Sequence, residues 1–584
     1  MGSEGLSNPN DEVRSWLRNL DCVADTDDAL RRLGAIAAAI ADALDAPAPA
    51  ALPTAPPASI PASFAVPELL GMAWEAMMAP EDRRQQGSHF TPPEAAAAIV
   101  ALARERLDVD GVPVVWDPTC GGGAFLLAAA RALDGEGHER GAIVSACHGT
   151  DIDPVALRVT DAALELWASG AGRPHTAQVD LLADPPSSPA PGTAQLVVGN
   201  PPFLGQLTAD TARTDERRRL LVDRFGDAAK GYVDDVGLIT LAAVHHAAEG
   251  AVVALVAPES FLGARDAGSV RSELTAHAAL QAVWVESDAT FEANVDVVAP
   301  VLVVGGGGAR TEVRGATTLD LPRPNDENWA PVLAAAAGVP MVEVKADRCV
   351  GDIAEVTAGF RQHFYGLHGA VREAEVDDDG LRLVTSGAID PLQNMWGQRA
   401  IRFGGQAWDR PVVDIDRIED RGVAEWFLAR SRPKVLVASQ TRVIESLVDE
   451  RGTMLPSVPV ISVEPSDASD LWHLAAVLSS PVASAIIAAA SAGTGLSRAA
   501  LRVRASELGR LPLPAPSAAW DAAARAVERA QSAADAGDGS KHRREVRNAG
   551  REMAVAYGID RAEPLVDWWC DRIRFPDETR SGVE

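Results

Sequence analysis

Lysine is scarce in this sequence: only Lys230, Lys345, Lys434 and Lys541 occur among 53 basic residues, and the rest are Arg. Together with the richness in Ala, this reads as the codon bias of a high-GC genome. Positive charge is short overall, with 82 acidic residues and a net charge of −29. That balance lowers the expectation of strong non-specific nucleic-acid binding, although a local basic cleft remains compatible with it. The five cysteines (Cys22, Cys120, Cys147, Cys349, Cys570) are odd in number, far apart and never in a CxxC pair. This argues against a disulfide framework and a zinc site, and makes a reducing cytoplasm the expected location. No apolar run approaches the roughly twenty residues of a membrane span. The start, MGSEGLSNPNDEVRSW, lacks the apolar stretch of a signal peptide. No internal repeat is visible.

What is present is a globular profile, 47% hydrophobic and 23% charged, in a chain of 584 residues. That length is too great for one core and sufficient for three or four units. Residues 1–84 read as an amphipathic helical segment followed by a Pro/Ala linker, APAPAALPTAPPASIPA at 46–62. From 85 to 310 short Val-rich runs alternate with Ala/Leu helices: VPVVW (112–116), AIVSACHGTDI (142–152), TAQVD (176–180), AQLVVGN (194–200), AVVALVA (251–257), AVWVES (282–287) and VVAPVLVV (297–304). The alternation predicts a mostly parallel α/β sheet covered on both faces. Residues 311–344 are polar and Pro-containing, the pattern of a connection. Residues 345–515 gain Gly and Trp and read as a separate α+β domain, and residues 516–584 as a helical, charged tail.

Four constellations carry chemistry. In VPVVWDPTCGGGAFLLAAARAL (112–133) a strand ends in Asp117, and Gly121, Gly122 and Gly123 form a tight loop before a helix. Glycines there let a ligand approach the backbone at the carboxyl edge of the sheet. No GK[ST] follows, so this is not a P-loop. The run Gly305 to Gly308 leads into polar sequence and reads as a turn. In CHGTDIDP, Asp151 and Asp153 end the second strand, where a carboxylate can accept from two ribose hydroxyls. Asp180 closes the next strand in VDLL, where a ligand contact and a turn or helix-cap Asp are equally open readings. In LVVGNPPFLG (196–205), Asn200 offers an amide oxygen, Pro201 and Pro202 lack N–H donors and leave carbonyls free, and Phe203 offers a flat apolar face. A planar amine stacked on Phe203 could give one N–H to Asn200 and one to the Pro201 carbonyl.

Taken in order, GSHFTPPEAAAAIV (87–100), DPTCGGGAFL (117–126), TDIDP (150–154), VDLL (179–182) and NPPF (200–203) resemble the N6-adenine DNA methyltransferases. The variant resembled is the one in which the HFTPPE-like segment precedes the Gly loop and a target-recognition domain follows, as in γ/Type I and Type IIG modification enzymes. The likeness covers about 85–310 and extends loosely over 345–515 through TAGFRQHFYGL and ELGRLPLPAP. GGG stands where a G-small-G loop is more usual.

The resemblance implies a Rossmann-like class I S-adenosylmethionine-dependent methyltransferase sheet with helices on both faces, an α+β target-recognition domain, and helical N- and C-terminal segments. It implies S-adenosylmethionine as cofactor, with Thr91 and Pro92 beside the methionine part. Asp117, Gly121 and Gly123 would surround the methionine and sugar, Asp151 would take the ribose hydroxyls, and Asp180 and Leu181 the adenine. Asn200, Pro201, Pro202 and Phe203 would hold the target adenine, which must be flipped out of the duplex to reach an enclosed pocket. No metal is implied: His89 lacks partner ligands, and His245 and His246 read as structural residues within a helix. Cys120 reads as a small residue that suits the loop, with no nucleophilic role.

Double-stranded DNA is the implied partner. Arg399, Arg402, Arg410, Arg432, Lys434 and Arg442 would meet it, with Gln440 and Thr441 able to read base edges; for each charge, a solvated surface residue is the alternative. Trp396, Trp408, Trp426 and Trp472 are expected in cores, and Trp568 and Trp569 against the body or a partner. The expected activity is site-specific adenine-N6 methylation in a restriction-modification or phage-defence system, with possible partner proteins and no membrane. The alternatives are a methyltransferase for RNA or for a protein amide, and a DNA-binding subunit of a defence complex. No Asp…Glu-x-Lys cluster marks a nuclease before residue 85. If DNA is held through basic contacts to phosphates, its affinity is expected to fall steeply with added salt. A filter-binding or anisotropy titration from low to physiological salt checks this, and a flat response contradicts it.

Overall fold

Runs in which every residue is apolar fit a strand covered on both faces. The computed structural model places LVVG, VVAL and VVAPVLVV as wholly buried strands of one large sheet. The structure describes residues 9–23, 25–60, 64–79, 91–203, 213–286, 296–375, 378, 380–493 and 501–575. The chain divides into two units, Met1–Val332 and Leu333–Glu584.

In the first unit the strands are β1 (Val115–Asp117), β2 (Cys147–Asp151), β3 (His175–Gln178), β4 (Leu196–Gly199), β5 (Val252–Leu255), β6 (Ala257–Pro258), β7 (Ala278–Val285), β8 (Val297–Val304), β9 (Arg310–Arg314) and β10 (Thr318–Pro322). Among the described residues they form one sheet in the order β10-β9-β7-β8-β5-β4-β1-β2-β3, with β6 on β8. Strands β3, β2, β1, β4 and β5 run parallel, and β8 enters antiparallel between β5 and β7. Alternate residues face alternate sides. Leu196, Val198, Val252 and Ala254 join the core formed with the helices Thr26–Leu44, Glu68–Met77, Pro93–Arg104, Ala124–Gly135 and Pro154–Trp167. The helix Asp235–His246 also packs on β5. This is the α/β architecture that the sequence implies, but with a mixed sheet, since β8 and β10 run antiparallel to their neighbours.

Three boundaries differ from the sequence reading. AIVSAC is not continuous strand: Arg140–Ser145 is a helical turn and a half, and β2 starts only at Cys147. Residues 310–322 are not a connection but β9 and β10, extending the sheet, because Thr311 and Val313 alternate inward at 0% and 1% exposure. The Pro/Ala stretch is not a free linker. Ala50 N–H donates to Glu165 (2.7 Å), Ala51 C=O accepts from Arg158 (2.8 Å), and Leu52 is buried, so it lies along the helix Pro154–Trp167. With it, the helices Thr26–Leu44 and Glu68–Met77 belong to the body of the first unit.

The second unit carries two four-stranded sheets, as an α+β reading anticipates: Ala354–Ala358, Ile461–Pro465, Lys434–Val437 and Ser446–Asp449 in one, and Val371–Glu373, Pro411–Val413, Leu381–Val384 and Met454–Pro456 in the other. The tail is not a separate element. Ala518–Asp535 and Gly539–Ala556 form a helical hairpin that shares a core with Leu471–Leu478 and Pro481–Ser491, and Trp568 and Trp569 are buried in it. Trp396, Trp408, Trp426 and Trp472 are partly buried against the cores of this unit. Among the described residues no single helix is long and apolar enough to cross a membrane.

Candidate active site

Parallel neighbours end at the same edge of a sheet, and a ligand crevice opens where the strand order turns outward in two directions. Here that point lies between β1, which leads on to β2 and β3, and β4, which leads to β5. Asp117 ends β1, Asp151 ends β2, Asp180 follows β3 by two residues, and Asn200 follows β4 directly. Four residues far apart in sequence are thereby set along one edge.

The Gly loop is folded by its neighbours. Gly121 and Gly123 hold φ of +48° and +86°, conformations that favour glycine. Gly122 needs its missing side chain for a different reason: a Cβ there would stand 2.4 Å from the Gly71 Cα, where the helix Glu68–Met77 crosses. Gly121 N–H donates to Asp151 Oδ2 (2.9 Å), and Thr160 Oγ1 donates to the Gly121 carbonyl (2.7 Å). Asp151 Oδ1 accepts from Asp153 N–H (2.9 Å). The two oxygens of Asp151 thus tie the Gly loop to the turn that leads into the helix Pro154–Trp167. Asp153 caps the helix Pro154–Trp167 through Val155 N–H (2.8 Å) and accepts from Trp74 Nε1 (3.2 Å).

Asp117 is 1% exposed and accepts from Thr119 N–H at 3.1 Å. Burial pushes its carboxyl well above the usual range, and the nearby Asp151 charge adds to this. Burial also raises Asp151, against the pull of its backbone hydrogen bonds. Asp180 behaves oppposite in sign: burial pulls it upward, but Arg217 holds it below the ordinary value. The guanidinium grips both its oxygens at 2.8 and 3.0 Å. Asn200 donates through Nδ2 to Thr91 Oγ1 (3.0 Å).

A cavity of about 700 Å³ runs over this edge. Of the residues singled out from sequence, Thr91, Gly121, Asp151, Asp180, Leu181, Asn200 and Pro202 line it. Pro92, Asp117, Gly123, Pro201 and Phe203 stand beside it without lining it; Asp117 is buried, Gly123 ends the loop where the helix Ala124–Gly135 begins, and Phe203 packs on the core. His89 lies outside the described residues. Sequence reasoning missed Met72, Trp74 and Met78, and also Arg217 and Asp235, all of which line the cavity. Met72 and Trp74 come from the helix Glu68–Met77 and Met78 from its end, a segment read as remote and N-terminal, and nothing in LLGMAWEAMM marks it as a wall.

In the second unit, Lys434 must be withdrawn from the residues expected to meet DNA. It is fully buried, with Nζ on Asp449 at 2.6 Å, and cannot reach a phosphate. Arg399 is held bidentate by Asp390 (3.0 and 2.8 Å), and Arg432 pairs with Glu464 and Glu355. Arg402, Gln440 and Arg442 are exposed, and exposed Arg410 stacks 5.3 Å from the Trp396 ring. A different group, His245, Glu273 and His277, brings its ligand atoms within 4.8 Å of one another at the far end of the helix Asp235–His246. All three are exposed, and the Arg224 guanidinium adds positive charge near His245. His246 is buried, with Nε2 against the Pro189 carbonyl at 2.9 Å.

Arg217 favours the ionised form of Asp180, holding its pKa below the ordinary carboxylate value. In Arg217→Gln its pKa should rise, so ligand affinity in the cavity should begin to fail at a higher pH than in the wild type. Calorimetric titrations between pH 4 and pH 8 with S-adenosylmethionine, the ligand the sequence resemblance implies, check this, and superimposable pH profiles for the two proteins would refute it.

Residues 66–313 match the family model described as N-6 DNA Methylase. Over 165 residues the chain is 29% identical to the Type II methyltransferase M.MamI of Microbacterium ammoniaphilum, an alignment that takes in 26% of this chain and 45% of that protein. The chain thus spans less than half the length of this curated relative. Among solved structures, the Type IIL restriction-modification enzyme MmeI, solved in complex with DNA, superposes with a TM-score of 0.57 at 14% identity, covering 88% of this chain and 82% of that one. At that identity the likeness is one of fold. The order of motifs, the sheet that carries them and the matched span agree: residues 66–313 form an N-6 DNA methylase domain.

Proposed function

We propose that the protein is a site-specific DNA adenine-N6 methyltransferase that uses S-adenosylmethionine and serves a restriction-modification system. The observation that carries this reading is the shared cavity. The Gly loop and Asp151 on one side, and Asn200 on the other, open into a single space of about 700 Å³. That size lies within the range of cofactor pockets.

The residues present suit S-adenosylmethionine. Gly121 and Gly122 give bare backbone against the cavity, Asp151 brings a carboxylate to its lining, and Leu181 gives an apolar surface at the Asp180 end. Asp151, Asp180 and the Arg217 guanidinium divide the lining into anionic and paired regions. When bound, the cofactor supplies a methyl group on a sulfonium, ready for transfer to a nucleophile.

This chain's residues then act on the acceptor. The exocyclic nitrogen of adenine is a weak nucleophile because its lone pair is delocalised into the ring. Accepting its two N–H bonds at the Asn200 amide oxygen and the Pro201 carbonyl favours a tetrahedral nitrogen with a localised lone pair. Phe203 gives the ring a face to stack on, and the cavity walls fix the approach. Neither acceptor is basic, so the proton released on methylation leaves to water.

Duplex DNA is the substrate on this reading, with base selection assigned to the second unit, where Arg402, Gln440 and Arg442 are exposed. The test is transfer of labelled methyl to mixed-sequence duplex DNA, followed by hydrolysis and separation of nucleosides. N6-methyladenine is expected, and Asn200→Ala should reduce it by about 100-fold or more while cofactor binding persists. Label in RNA, in protein or on another base would overturn the reading.

A further inference from the structure

We propose that His245, Glu273 and His277 bind one divalent transition-metal ion, Zn2+ by the character of the ligand set, and that the ion clips the helix Asp235–His246 to the helix Gly268–His277. The inference does not depend on the proposed function. Asp235, at the start of the first helix, lines the cavity, whereas His245 stands in its last turn, so the ion is structural and takes no part in methyl transfer.

Glu273 and His277 are four residues apart on one helix, a spacing that sets both side chains on the same face, one turn apart. His277 Nε2 lies 3.5 Å from Glu273 Oε1. His245 comes from the neighbouring helix, with its ring centre 4.7 Å from that of His277. One ligand atom from each of the three residues falls within 4.8 Å of the other two. A tetrahedral zinc with bonds of about 2.0–2.1 Å holds its ligand atoms roughly 3.3 Å apart. The His–Glu pair already stands near that separation. Rotation of exposed side chains closes the remainder.

The backbone beneath these residues is fixed, as a metal site requires. The two helices pack on each other. Arg271, 1% exposed, ties the second one down by donating to the carbonyls of Glu327 (2.8 Å) and Ala264 (2.9 Å). The His277 carbonyl accepts from Gly305 N–H at 2.8 Å. Charge also favours a cation. Both helices end here, with His245 and His277 in their last turns, and a helix C-terminus carries partial negative charge. Glu273 adds a full one. The Arg224 guanidinium opposes it near His245, but it is held by the Leu181 carbonyl (2.7 Å) and lies over the Phe225 ring. Two imidazoles and one carboxylate suit zinc better than calcium or magnesium, which take oxygen ligands. With three protein ligands, water completes the fourth position.

The experiment titrates the whole chain, freed of metal, with Zn2+ against a chromophoric chelator, and with Co2+ read by its visible absorption. It compares the wild type with His245→Ala, His277→Ala, Glu273→Gln and the double variant His245→Ala/His277→Ala. Each single substitution should weaken zinc binding by at least about 10-fold, the cost of losing even a partner outside the ligand set, and the double variant should lose the site. The strong visible bands of four-coordinate Co2+ should appear in the wild type and fade in every variant. All three residues are exposed, so melting temperatures without metal should coincide. Saturating zinc should raise the melting temperature of the wild type and leave that of the double variant unchanged. Zinc affinity that is the same in all variants would place the ion elsewhere in the chain and overturn the proposal. So would the absence of zinc binding at micromolar concentration. Binding lost with either histidine but untouched in Glu273→Gln would reduce the site to two surface imidazoles and overturn the three-ligand assignment.

Discussion

The hydrogen bond from Gly121 N–H to Asp151 Oδ2 is the contact on which the site depends. It joins the loop after β1 to the end of β2, and the same carboxylate holds the turn into the helix Pro154–Trp167 through Asp153 N–H. The loop is fixed from below by the Thr160 hydroxyl and from above by the crossing of Gly71 over Gly122. A ligand cradle made of backbone needs such outside support, because glycine contributes no side chain to hold its own conformation. The support comes from a buried carboxylate, and burial raises the pKa of that carboxylate as the consequence of its position.

Charge looks less contradictory once it is divided. Residues 1–332 carry 23 basic and 46 acidic side chains, whereas residues 333–584 carry 30 and 36. Most of the excess negative charge belongs to the unit with the cavity, and the second unit is close to balance. Within that unit, several arginines are committed to internal pairs, as Arg399 is to Asp390 and Arg432 to Glu464, which leaves fewer cations for phosphate contacts. On the proposed function, attraction to DNA rests on exposed groups such as Arg402 and Arg442 and not on the charge of the whole molecule.

Much of the catalytic unit was legible because its strands are short, apolar and end in residues with distinctive chemistry. VVAPVLVV is a strand over its whole expected length, and Asn200 follows β4 as LVVGN indicates. What could not be read is what lies far away in sequence. Trp74 reaches Asp153 across 79 residues, and Arg217 reaches Asp180 across 37, and neither pair leaves a periodic trace. The polar run after residue 310 resembled a connection because β9, one strand in from the edge of the sheet, buries only one face, so Thr311 and Val313 alternate with charges. Lys434 failed as an expected DNA contact for a similar reason: composition shows a cation, but not the Asp449 carboxylate that encloses it.

The central claim is that one edge of one sheet holds both the methyl donor and the base. The most direct measurement is the structure of the protein bound to a duplex and sinefungin, a non-reactive analogue of S-adenosylmethionine. The account predicts the analogue's ribose hydroxyls on Asp151 and a single adenine out of the helix, with its amine between Asn200 and the Pro201 carbonyl and its ring on Phe203. An analogue bound away from Asp151, or a duplex held with every base still stacked, would contradict it.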